Sequence, residues 1–138
     1  MRASIVALTL LTVSCAIAQA QTRAQTQERL VHFLVKDLSL TPDQTSSVRG
    51  FITQADNEMA SYEAQYFGRP EMLAKMRKQA TVDLGKRVET ILTPSQLQQY
   101  PKTKQKLFDA LQKRYEAEMK KVQGSEAKPY EMKPAETR

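Results

Sequence analysis

The chain has no tryptophan, one histidine (His32), one cysteine (Cys15) and only four glycines among its 138 residues. Each shortage removes a class of chemistry. One histidine and one cysteine cannot assemble the clustered set that a zinc site draws on, so no metal is expected. The glycines, at positions 50, 68, 85 and 124, are scattered, and none opens a loop that would cradle a phosphate. His32 stands alone between Val31 and Phe33, a setting more typical of a surface or interface residue than of a general base. The acidic residues fit solvated helix faces. No catalytic residue and no cofactor is expected, and the chain reads as a binding protein, not an enzyme.

What is present favours helices. Lys, Glu, Gln, Ala and Leu dominate, all strong helix formers. The apolar fraction of 41% supports only a thin core, so thin helical layers and dimerisation are expected in place of a self-sufficient ball. The formal net charge of +6 draws the chain toward anionic surfaces: nucleic acid, acidic lipid or acidic protein segments. It serves solubility equally well.

The first twenty residues read as an export signal. Met1-Arg2 supplies a positive start, residues 5–13 form a short apolar run, and Ala18-Gln19-Ala20 places small residues where a signal peptidase reads them. Cleavage is expected after Ala20. The run is shorter than the ~20 residues of a membrane span. Cys15 follows Thr12-Val13-Ser14, but Thr12 stands where a lipoprotein box wants leucine, so lipidation is disfavoured. A chain cut after Ala20 keeps no cysteine, hence no disulfide. Export argues against nucleic acid as a partner, and the basic residues are interspersed with acidic ones. Contact with an anionic membrane surface is a weaker reading.

Residues 21–122 form the expected helical domain. Residues 21–27 are polar and expected to fray. Leu30, Val31, Phe33, Leu34 and Leu38 recur at helical spacing and predict a short first helix. A second helix is predicted from Thr41, with Thr41 as cap, Pro42 at the first helical position and Gln44 reaching back to the cap. Its stripe is Val48, Phe51, Ile52, Ala55, Met59, Tyr62 and Tyr66, and Gly68 ends it. Pro70 opens a third, with Leu73, Met76, Ala80, Leu84, Val88 and Ile91 as its stripe. Lys75, Lys78 and Lys86 lie opposite. A fourth begins at Thr93-Pro94-Ser95-Gln96, with Leu97, Tyr100, Leu107, Phe108, Leu111, Tyr115, Met119 and Val122 in phase. Pro101 predicts a kink in that helix, since an interior proline costs ~3 kcal/mol or more. The polar residues 123–138 are expected to be a disordered tail.

The sharpest signal is a repeat: Leu40-Thr41-Pro42-Asp43-Gln44 and Leu92-Thr93-Pro94-Ser95-Gln96. Each places an apolar anchor before a cap and fixes where a helix begins. Neither carries a nucleophile, base or metal ligand, so both read as helix caps alone. Two such LTxxQ-type boxes on a small, exported, helical and basic chain resemble the Spy/CpxP family of bacterial periplasmic proteins, from about Leu30 to Val122. The resemblance implies an all-α, four-helix protomer with long thin helices, paired as a curved antiparallel homodimer. It implies a periplasmic, ATP-independent chaperone that holds unfolding client proteins. Some relatives instead act as envelope-stress adaptors that restrain a sensor kinase, which is the alternative function. Others bind metals, a role the single histidine does not support.

A holding surface needs adaptable apolar groups beside charges. Met72 and Met76, at the start of the third helix, suit it because methionine is flexible and polarizable. Arg77 and Arg87 fall within the apolar arc of that helix. They either pair with carboxylates and cover core with their stems or grip clients on an open face. Tyr62, Tyr66 and Phe67 would enlarge such a surface, though two of them also fit an ordinary core or dimer seam. These seven residues are the candidate client-binding set.

Overall fold

A computed structural model describes the backbone of residues 6–126 and the side chains of residues 21–121. The side chains of Cys15, Ala20 and Val122 and the tail beyond residue 126 lie outside the described residues. Four helices make up the fold: α1 (Val6–Leu38), α2 (Pro42–Gln65), α3 (Pro70–Glu89) and α4 (Pro94–Glu126). Helix α1 packs on α2 and α4, and α3 packs on the same two, closing a ring that side-chain bonds cross from α2 to α4. Leu34, Val48, Val88 and Leu107 supply one fully buried aliphatic side chain from each helix. Burying each contributes about 1.5–3 kcal/mol.

The predicted stripes form this core, with Leu30, Val31, Leu38, Ile52, Ala55, Met59, Ala80, Leu84, Tyr100, Leu111 and Tyr115 all buried. Three expectations need correction. Residues 21–27 do not fray; they belong to α1. The segment lacks Gly and Pro, Gln27 donates to Asp56 of α2 at 2.6 Å, and Arg23 lies 3.8 Å from Glu63. Leu97 is 41% exposed and off the buried face of α4, because in that first turn it is Gln96 that faces inward, donating to the Leu38 carbonyl and to Gln44. Helix α4 runs to Glu126, past the expected boundary at residue 122, while its continuity across Pro101 is compatible with the predicted kink. Pro101 and Leu97 are both exposed, so water can reach the Leu97 carbonyl that loses its partner.

Both boxes form the predicted caps. Thr41 Oγ1 accepts from the Gln44 amide, and Gln44 Oε1 accepts from the Thr41 N–H at 3.0 Å. Thr93 and Gln96 repeat the pattern at 3.3 and 2.9 Å. The boxes do more than cap, however. Each glutamine donates to the other's Oε1, at 2.8 and 3.1 Å. Gln44 Nε2 also donates to the Ile91 carbonyl at 2.8 Å, and Gln96 Nε2 to the Leu38 carbonyl at 3.1 Å. Each amide thus uses both donors and both lone pairs. The reading of the boxes as caps alone is therefore incomplete: they cross-link the two halves of the chain.

The approaches to the boxes differ. Helix α1 ends with Ser39 at φ 51° and a bond from Leu40 N–H back to Val35 O, a Schellman closure with serine where glycine is usual. Helix α3 ends in successive i to i+3 bonds through Thr90, Ile91 and Leu92, so no left-handed residue is needed there.

A candidate protein-binding surface at the α2–α3 hairpin

The 24 residues of α2 carry the chain about 36 Å from the boxes to the α2–α3 turn. Helix α2 ends there as Tyr66 N–H bonds to Tyr62 O. Gly68 takes φ 76°, Arg69 N–H closes onto Tyr66 O at 2.9 Å, and Pro70 starts α3. The left-handed position favours glycine. This tight reversal pushes the residue before it outward. Phe67 is 84% exposed and Met72, one turn into α3, is 39% exposed. Arg69, Pro70, Glu71, Met72 and Lys75 line a shallow cavity of about 640 Å³ beside them. Lys75 and Lys78 are exposed and, like Arg69, have no ion pair among the described residues. The tip therefore combines a bare aromatic ring, a methionine and three free cations against one carboxylate, Glu71.

Of the seven residues singled out from the sequence, Tyr66, Phe67 and Met72 gather here. Tyr62 and Met76 are half-buried just behind, with the Tyr62 and Tyr66 ring centroids 6.3 Å apart. Arg77 and Arg87 are not part of an open face. Arg77 Nη2 donates to Glu63 at 3.2 Å, its side chain is 11% exposed, and its guanidinium lies 5.1 Å from the Tyr115 ring centroid. Arg77 Nε is buried without a partner. Arg87 pairs with Glu58 at 3.0 Å. Both arginines tie α3 to α2, which resolves the two readings of them in favour of carboxylate pairing.

A second clamp joins α4 to α2, where Arg114 pairs with Asp56 and Glu118 at 3.1 Å. Burial opposes the Arg114 charge, but the two carboxylates outweigh it and raise its pKa. Burial raises the Tyr100 and Tyr115 hydroxyls, so both stay neutral donors, and Tyr100 bonds the Gly85 carbonyl at 2.8 Å.

Sequence reasoning passed over Arg69 and Lys75. The signal was available in Phe67-Gly68-Arg69-Pro70, since a Gly–x–Pro turn after an aromatic leaves that aromatic at an apex. His32 is exposed. Among the described residues no three His, Cys, Asp or Glu side chains come together to hold a metal, and no helix is long and apolar enough to cross a membrane. No family model, curated protein or solved structure matches the chain.

Proposed function

We propose that this protein is an exported, ATP-independent holding chaperone that binds unfolding proteins through its α2–α3 hairpin tip and works as a homodimer. The exposed Phe67 carries the reading, set beside Met72 and the unpaired Arg69, Lys75 and Lys78. A phenylalanine 84% exposed at a tight turn gives up hydrophobic burial that a partner would restore. Methionine adapts to apolar segments of different shape. The cations speed encounter with acidic stretches and make capture sensitive to salt. An unfolded client must be partly ordered on binding, which keeps affinity modest and release easy. The resemblance of the paired boxes, leader and basic charge to the Spy/CpxP family supports the same role.

The test is aggregation of several unrelated, chemically unfolded proteins, with the chain in slight excess and no nucleotide. Light scattering should fall for most of them, and fall less at high salt. Protection of none, together with tight binding to a single sensor domain, would replace the chaperone with an adaptor.

A further inference from the structure

On the side of the ring where α1 meets α4, a groove of about 310 Å³ runs along the seam, lined by Thr26, Arg29, Leu30, Phe33, Lys106, Ala110 and Arg114. Its volume matches the low end of small-ligand sites, ~300–1,000 Å³. The floor is apolar: Leu30 is 8% exposed, Phe33 is half-buried against the core, and Ala110 forms the α4 edge. Three cations stand around it. Two already have counter-charges: Lys106 meets Asp37 at 3.1 Å, and Arg114 meets Asp56 and Glu118. Those pairs fix their positions without closing the groove. Arg29 is exposed and has no hydrogen bond or ion pair among the described residues. Thr26 spends its hydroxyl proton on Thr22 O at 2.8 Å. The groove thus offers an apolar channel and one uncompensated guanidinium, which fits one anionic group.

We propose that the α1–α4 seam binds a monomeric anionic amphiphile, with one acidic head on Arg29 and a single short alkyl chain along Leu30, Phe33 and Ala110. The recessed floor favours a single chain over the face of a bilayer. Lys106 and Arg114 are compensated by their own carboxylates, which leaves Arg29 as the partner of the head. This site is separate from the hairpin tip and goes beyond the chaperone reading.

Calorimetric titration of the full chain with decanoate, kept below its aggregation concentration, tests the assignment. One site with a submillimolar dissociation constant is expected, while acetate and decanol bind at least about tenfold more weakly, each lacking one half of the recognition. Arg29→Glu should weaken decanoate about tenfold or more. Ala110→Glu, at an exposed position, should block the channel with far-UV circular dichroism unchanged. Aggregation suppression by both variants should equal the parent's, which keeps failure here distinct from failure of the chaperone reading. Several results would overturn the proposal: equal binding of decanol, undiminished binding by both variants, or affinity for phosphatidylglycerol vesicles without affinity for decanoate. A dimer that Ala110→Glu turns into monomers would also overturn it, by showing that a second copy covers the seam.

Discussion

Replacing Gln44 with glutamate separates two roles that the boxes combine. As a capping residue three positions into the helix, glutamate serves as well as glutamine, and its charge favours a helix N-terminus by ~0.3–1 kcal/mol. As a cross-link it fails. Gln44 Nε2 donates to Ile91 O and to Gln96 Oε1, both at 2.8 Å. The substitution deletes both bonds, at about 0.5–1.5 kcal/mol each, and turns an anionic oxygen toward two acceptors. Setting the dipole gain against these losses leaves a net destabilisation of about 2 kcal/mol. Urea unfolding followed by circular dichroism should show a midpoint lower by roughly 1 M at neutral pH, given a slope of about 1–3 kcal/mol per M for a domain of this size. The introduced carboxyl is favoured in its protonated form, which restores a donor. Its folded pKa is thus raised, and the deficit relative to the parent should shrink as pH falls through that raised value and be smallest below ~4.3, the value of an unfolded glutamate. A variant as stable as the parent at neutral pH would refute the cross-link and leave the boxes as caps alone.

Other perturbations probe the packing. Tyr100→Phe removes the buried bond to Gly85 O and should cost about 1–2 kcal/mol in urea unfolding. Gly85→Ala gains helix propensity, but its new methyl would meet Phe108 Cζ at 3.0 Å and Lys104 Cε at 3.1 Å. A lower melting temperature is expected, and a higher one would show that the ring yields freely. Arg77→Glu places a second acid beside Glu63 in a nearly closed site and should cost about 3 kcal/mol or more. Arg77→Met should stay within about 1 kcal/mol, since Glu63 keeps Arg23 and the unpartnered Nε goes. The Asp37 carboxyl is held below its ordinary 3.8, chiefly by Lys106 and also by Thr103, against burial. A depressed folded pKa adds stability above 3.8 that is lost as pH falls through the folded value. Acid should therefore lower the urea midpoint, and Asp37→Asn should flatten that fall.

The helices were legible because periodicity, prolines and caps agreed on them. Val48, Ile52, Ala55 and Met59 lie three or four apart, and all are buried. Pro42, Pro70 and Pro94 each begin a helix. Less legible was whatever depended on long-range partners. The pairing of Gln44 with Gln96 spans 52 positions, and no local pattern announces it. Arg77 and Arg87 shared an arc with apolar residues, yet only their positions opposite Glu63 and Glu58 decided their role. Residues 21–27 were misjudged from polarity, although Arg23 and Gln27 find partners on α2. At the hairpin, Phe67 could be named from sequence, but its exposure follows from the turn at Gly68 and from nothing in the α2 period.

Photo-crosslinking reports most directly on whether the α2–α3 tip holds unfolded proteins. A photoreactive phenylalanine analogue placed at Phe67, at Met72 or, as a control near the boxes, at Gln98 would be irradiated with chemically unfolded clients. Strong adducts from positions 67 and 72, weak ones from 98, and loss of all adducts once the client has folded are the predicted result. Equal labelling from all three positions, or none from the tip while aggregation is still suppressed, would contradict the account.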